Sequence, residues 1–378
     1  LTKSPPFSFF LYDDDPPVDD SHPLWDATLP AGPSPAGPAA APFTYREYFA
    51  AAAQYLAADG FRPVILGTGL NLEAIQRIAV RLVKHGAFYH PAQVVVQTHS
   101  GIFRRVLNVA VSAVGFHQMD SELEALSRLA AGPEAKRIPT VYHSGRVDMP
   151  SGRSVGCFLG EWFSGYWEFH LSRDPESGDC SLVLWDEETG HRTLPADQSV
   201  SVYQGAARIL TGCFNPETAD EVLSWHHAAG DFVANVKGSR AEVKLVTARG
   251  YGSQSPINGG GMAANEVRLL NILLFFARLA IRNALDRLDG TGEWVWAGWP
   301  SVRGTVRGVF DGLAPEDAIG FFAMIREYDA HAYGTILDAV ADSYHPDAPD
   351  GACARQHLSQ LAQALEAAVA AESIRRGG

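Results

Sequence analysis

The apolar positions along the chain change period about halfway, and the elements they predict change with them. Thr44 is placed to cap a helix, and Glu47, three residues later, completes a capping-box spacing for a helix running to about Ala58. Behind Asn71, the residues Leu72, Ile75, Ile78, Ala79 and Leu82 fall at helical intervals and predict a second helix that Gly86 stops. The run Gln93 to Thr98 reads as a strand, Ser100-Gly101 as a tight turn, and Phe103 to Ser112 as the returning strand of a hairpin. A helix over 119–130 follows, with Leu123, Leu126 and Leu129 on one face and Glu122 and Glu124 at positions expected to be solvated.

Beyond the Gly132-Pro133 break, further strands are predicted at 139–143, 154–160 and 181–186. The aromatic stretch Trp162 to His170 reads as a linker or another strand, its rings expected in a core. From about Val200 the period is helical, with helices at 262–289, 315–343 and 354–375 and one interruption at 224–252. A strand-rich first part and a helical second part predict an α+β fold with two lobes. The expected divisions are a Pro/Ala-rich arm over 1–42, N-terminal helices over 43–87, a sheet-containing lobe over 88–162 and a mainly helical lobe over 163–378.

Composition narrows the class. The chain has 378 residues, 46 % hydrophobic and 19 % charged, a globular balance. A formal charge of −13 argues against nucleic acid as a partner, because that surface needs clustered Lys and Arg. Small anions stay open, since a local pocket can oppose the global field. The four cysteines lie far apart without metal-type spacing, as expected of buried thiols in a reducing compartment. Residues 1–24 show no signal-type pattern, and the longest apolar run, Leu269 to Leu279, is too short to span a bilayer. A cytoplasmic location without a membrane partner is the expectation.

The interruption at 224–252 carries the candidate chemistry. His226-His227 precede Gly230-Asp231, Asn235 follows four residues later, and the strand bearing Val243 and Leu245 leads to Thr247 and Arg249. A carboxylate orienting an acceptor hydroxyl, beside an amide oxygen and a second carboxylate on Mg²⁺, is the layout kinase-type phosphoryl transfer needs. Asp231 has the acid–base role in that reading; its bland alternative is a turn Asp bonded to its own backbone. Asn235 has the same alternative. Of the two histidines, one is expected to brace the loop, its ring bonded to a backbone carbonyl. Lys244 and Arg249 are expected at the surface. Gly259-Gly260-Gly261 lacks the Lys-Ser/Thr of a phosphate loop and reads as a flexible segment.

This order of elements resembles the protein-kinase-like superfamily, in particular its aminoglycoside-phosphotransferase-like branch, over roughly residues 88–345. The resemblance implies a small antiparallel-sheet N-lobe, a mostly helical C-lobe, and ATP with Mg²⁺ between them. Position by position it implies Asp231 as catalytic-loop acid with His227 beside it, and Asn235 as metal-binding amide. Glu242 is the acid available to complete the cation shell. Asn108 stands on the strand that normally carries the phosphate-gripping Lys. Arg104, on the same strand face, is the available substitute, and Glu122 is the helix carboxylate. Thr247 occupies the place of the metal-binding Asp, and the single Gly101 replaces a glycine-rich turn.

Three functions follow. The first is a divergent kinase-like protein transferring a phosphoryl group from ATP to a small-molecule or protein hydroxyl. The second is a catalytically silent pseudokinase that binds a ligand or partner, favoured by Asn108 and Thr247. The third is a metal-dependent hydrolase built on His226, His227 and Asp231, with His143 or His170 as further ligands.

Overall fold

The computed structural model describes residues 4–11, 16–30, 42–174, 176, 178–254, 260–288, 290–344 and 348–376. Most of the Pro/Ala/Gly run from Pro30 to Pro42, the acidic run at 13–15 and Gly259 lie outside the described residues. The fold is α+β, as the change of period implies, and it divides into two compact units: 1–127 with 139–164, and 128–138 with 165–378.

The first unit is a six-stranded sheet carrying a helix. Its elements are β1 (Phe7–Phe10), α1 (Tyr45–Ile65), β2 (Ile75–Leu82), β3 (His90–Thr98), β4 (Gly101–Ala110), α2 (Ala113–Leu129), β5 (Val141–Asp148) and β6 (Ser154–Glu161). The strand order is β1-β2-β3-β4-β6-β5, antiparallel except where β1 joins β2. The predicted hairpin is β3–β4, with Gly101 at its turn. The capping box is also present, since Glu47 N–H donates to Thr44 Oγ1 at 3.2 Å and Thr44 N–H donates to Glu47 Oε2 at 3.0 Å. Helical backbone breaks off at Ala58, where ψ turns to 144°, and resumes only after Phe61 for the last turn to Ile65. Tyr48, Phe49, Ala52 and Leu56 of α1 share one core with Ile78, Val80, Val94, Val96 and Leu107 of the sheet.

The helix predicted after Asn71 is not there. Asn71 caps a single 3₁₀ turn, Leu72–Ala74, and the chain then runs as β2. Ile75, Ile78 and Leu82 fit a helical stripe, but Ile78, Val80 and Leu82 also alternate with period two and are all buried. Pairing with β1 on one side and β3 on the other decides between the two periods. The N-terminal arm is ordered in part. Phe9 and Trp25 pack on Phe49, with ring centroids 4.9 and 5.9 Å away.

The second unit is mainly helical. It contains β7 (Phe169–Arg173), β8 (Cys180–Leu184), β9 (Arg192–Thr193), α3 (Ala196–Cys213), β10 (Asp220–Val222), β11 (Phe232–Lys237), β12 (Arg240–Leu245), β13 (Tyr251–Ser253), α4 (Ala264–Ala284), β14 (Leu285–Arg287), β15 (Trp294–Trp296), α5 (Trp299–Gly312), α6 (Pro315–Ile325), α7 (Ala330–Ala341) and α8 (Pro349–Arg376). The long helix expected over 315–343 is two helices, because Asp329 caps a new one by accepting from Ala332 N–H at 2.8 Å. The helix expected over 262–289 ends at Ala284 and turns into β14, which pairs with β15. Among the described residues, no helix is long and apolar enough to cross a membrane.

Helix α3 is the centre of this unit, and glycines let its neighbours approach. A Cβ on Gly304, Gly308 or Gly312 of α5 would lie 2.5, 2.5 or 2.6 Å from the nearest atom of α3. On another side of α3, a Cβ on Gly205 would lie 2.4 Å from Val243 Cγ2 of β12. The spacing of four residues along α5 repeats on one helix face, so three glycines form one seam. Gly308→Ala is expected to lower the unfolding free energy by about 1–3 kcal/mol through overpacking, outweighing a helix-propensity gain of about 1 kcal/mol. Urea unfolding of this variant checks it; an unchanged or raised midpoint would mean that the seam relaxes at no cost.

Candidate functional site

The loop singled out by sequence folds as one 3₁₀ turn, His227–Ala229, followed by the β11–β12 hairpin. Gly230 ends the turn at φ 70°, and its backbone lies so close to Glu168 that a Cβ would meet Oε1 at 2.5 Å. Asp231 is fully buried at the start of β11. Its backbone carbonyl accepts from Val246 N–H at 2.7 Å, continuing the hairpin ladder.

Its carboxylate is committed to Arg249. Arg249 Nη1 donates to Oδ2 and Nη2 to Oδ1, each at 2.5 Å, and His226 N–H adds a bond to Oδ2 at 2.8 Å. The same guanidinium donates to Ser224 O at 2.6 Å. One cation thus ties both ends of the loop, and Ser224, at the first of them, holds a left-handed φ of 56°. Arg249, expected at the surface, has only 20 % of its side chain exposed. The bidentate geometry is the strong form of the carboxylate pair.

His227 is a core residue. It is 1 % exposed, and its Nε2 lies 2.7 Å from Asn283 Oδ1. Asn283 in turn donates to Thr305 Oγ1 at 2.8 Å. The ring packs among Phe169, Tyr203, Trp225 and Phe232. Burial draws its pKa down to about 4, although the bond to Asn283 works the other way. His226 falls to about 3, first through burial and then through Arg282, Arg287 and Arg249. Both rings are therefore neutral at pH 7, and the one that braces the loop, His227, bonds the side-chain amide of Asn283 instead of the expected backbone carbonyl.

Asn235 and Glu242 meet, because they are register partners across the β11–β12 hairpin. Asn235 Nδ2 donates to Gly165 O at 2.7 Å. Glu242 faces Lys244 Nζ at 3.2 Å. Partial burial opposes ionisation of Glu242, but hydrogen bonds from Tyr166 and Lys244 outweigh it and hold the carboxyl below its ordinary range. Asp231 does not join them. Four residues of extended chain span about 13 Å, far beyond the reach of one cation with ligands at about 2.0–2.6 Å. The loop needed to bring Asp231 and Asn235 together is replaced by strand.

The sheet residues named from the sequence are placed as follows. Arg104 is exposed and Asn108 half-buried, on the strand face opposite Arg105. Arg105 is the buried one, 3.2 Å above the Tyr142 ring and bonded to Leu66 O at 3.3 Å, which the sequence reading missed. Glu122 is not solvated. It is 2 % exposed and accepts a 2.6 Å bond from Tyr89 OH, so a hydroxyl supplies the partner that no Lys on the strand offers.

His226, His227 and Asp231 do not form a ligand set, since His227 Nε2 is bonded to Asn283 and the carboxylate to Arg249. Among the described residues no group of three or more His, Cys, Asp or Glu is arranged to hold a metal. Sequence reasoning also missed Asp286. Its Oδ1 accepts from Ala228 N–H at 3.0 Å and from Arg287 N–H at 2.8 Å, which fixes the loop from below. Among the described residues, Asp286 Oδ2, His227 Nδ1 and Tyr203 OH are buried without a hydrogen-bond partner. Burial raises the Asp286 pKa to about 6, against the backbone bonds that lower it.

No protein-family model matches the chain, and no curated protein does. Among solved structures, that of WaaP in complex with acyl carrier protein aligns with 72 % of this chain and 91 % of its own, at 13 % identity and a TM-score of 0.33.

Two outcomes follow from this geometry. Breaking the buried pair by Asp231→Asn or Arg249→Met is expected to cost about 3–5 kcal/mol each, with the double variant losing much less than the sum. A double-mutant cycle in denaturant reads the coupling, and additive losses would show that the pair is not a unit. Asp286 holds a proton in the folded chain that the unfolded chain releases between the ordinary 3.8 and about 6. Its contribution to stability is therefore full below that window and is lost as pH rises through it. The stability of wild type minus Asp286→Asn should fall from pH 4 to 6 and then stay level. A flat difference would contradict the raised value.

Proposed function

We propose that this chain is a kinase-like binding protein that does not transfer a phosphoryl group from Mg·ATP. The observation that carries the reading is the arginine on Asp231: both carboxylate oxygens accept from Arg249, and the side chain is closed off from solvent. A catalytic-loop acid must come within hydrogen-bond reach of the acceptor hydroxyl, and a carboxylate paired with a guanidinium and fully buried is out of a hydroxyl's reach. His227 cannot stand in as base, because its ring is enclosed and bonded to Asn283.

The residues also do not fit Mg²⁺. That cation demands oxygen ligands in a near-octahedral shell. Here Thr247 stands where the family has a carboxylate, Asp231 belongs to Arg249, and Glu242 is engaged by Lys244. Arg249 supplies the positive charge that a metal brings to such a site, with a fixed fork in place of an exchangeable ion. Asn108 lacks the charge that grips a triphosphate.

Thermal shift and calorimetry with millimolar ATP, with and without Mg²⁺, test the reading. No binding that requires Mg²⁺ is expected, and no γ-phosphate label should reach any acceptor. A shift that requires Mg²⁺, or label appearing in a product, would overturn it.

A further inference from the structure

In an acidic chain of net charge −13, the second unit gathers arginines around one cavity. The cavity, of about 990 Å³, lies between α3, α5 and β12 and is lined by Arg137, Arg208, Arg240, Arg303, Arg307 and Arg375. The glycine seam explains part of this arrangement. Gly304 and Gly308 face α3, so Arg303 and Arg307, one position before each and four residues apart, share the adjoining face of α5. The volume suits a small-molecule ligand.

The acids nearby do not cancel this charge. Asp197, Glu242 and Asp311 also line the cavity, but Glu242 is paired with Lys244, and Asp311 accepts from Arg376 at 2.8 Å and from Gln204 at 2.7 Å. Arg137 and Arg208 share the single carboxylate of Glu134, at 2.5 and 3.3 Å. Arg307, Arg375 and Arg376 share the single, buried carboxylate of Glu372. The side chains of Arg240 and Arg303 have neither a hydrogen bond nor an ion pair among the described residues. Burial, and then the like charge of Arg303, draw the pKa of Arg307 down, as expected where guanidinium groups crowd. Trp299, the first residue of α5, also lines the cavity and is 43 % exposed.

We propose that this cavity binds a small molecule carrying two or more phosphate groups. Guanidinium forks match phosphate oxygens two at a time, and several forks left under-compensated call for an anion of more than one charged group. Two sources share that chemistry: a bare phosphate chain, and a nucleotide whose base rests on the Trp299 ring. The site includes neither Asp231 nor Arg249, so it stands independently of the loop reading above.

Titration calorimetry at low ionic strength and without Mg²⁺ tests it, with inorganic tripolyphosphate as probe. Saturable binding is expected, with orthophosphate at least about tenfold weaker because it engages fewer forks. Arg303→Gln, which breaks no existing bond, should weaken tripolyphosphate about tenfold, and adding Arg307→Gln about a hundredfold. Arg77→Gln, in the first unit, should leave binding unchanged. Tighter binding of ATP that is lost in Trp299→Ala assigns a nucleotide, whereas equal binding of ATP and tripolyphosphate assigns the phosphate chain; both support the site. No saturable heat at millimolar probe, or equal weakening by Arg77→Gln, would overturn it.

Discussion

The pairing of Asp231 with Arg249 organises the loop that leads into the β11–β12 hairpin of the second unit. A carboxylate withdrawn from water pays a desolvation cost that only close, well-directed donors offset. Here two guanidinium N–H groups and one backbone N–H meet it, and the same guanidinium reaches the Ser224 carbonyl at the far end of the loop. The left-handed Ser224 is held in place by this clamp. Asp286 supports the loop from its other side through the Ala228 amide, and His227 is fixed by Asn283. The loop is over-determined by bonds to its backbone, and such bonding favours a rigid scaffold over a segment that opens to admit substrate.

Chemistry follows from the same bonds. A kinase-type centre needs an acid that can reach a hydroxyl and oxygens that can reach a cation. The acid of this loop, Asp231, is instead satisfied internally. Thr247 at the end of the strand carries no charge, and Arg249, two residues later, supplies the cation that Asp231 needs. Each alone would leave an unbalanced charge, and together they leave a neutral, closed cluster.

Backbone packing and surface charge are linked elsewhere in the unit. Because α5 meets α3 through Gly304, Gly308 and Gly312, the helices approach backbone to backbone. Long side chains are confined to the adjoining faces, where the arginines of α5 collect beside Arg208 of α3. Sharing one buried Glu372 among Arg307, Arg375 and the neighbouring Arg376 limits local neutralisation. An acidic protein thereby keeps a basic cavity, a local field of opposite sign to its global one.

What the sequence determined by itself was local. Thr44 and Glu47 set a cap through bonds three residues apart, the hairpin across Gly101 follows from a turn between two β-rich runs, and the change of period marks an α+β chain. Asp231 and its histidines were recognisable as unusual, whereas of the four cysteines expected to be buried only Cys157 and Cys213 are, Cys180 being exposed and Cys353 half-buried. Tertiary structure decided everything that depended on a distant partner. The apolar positions from Ile75 to Leu82 satisfy two periods at once, and only β1 and β3, contributed from elsewhere in the chain, make them a strand. Glu122 reads as a surface acid until Tyr89 arrives beside it. Arg249 reads as a flanking charge until the hairpin folds it back onto Asp231, 18 residues away. Periodicity reports which face of an element is buried, but it carries no information about which polar group waits on the other side.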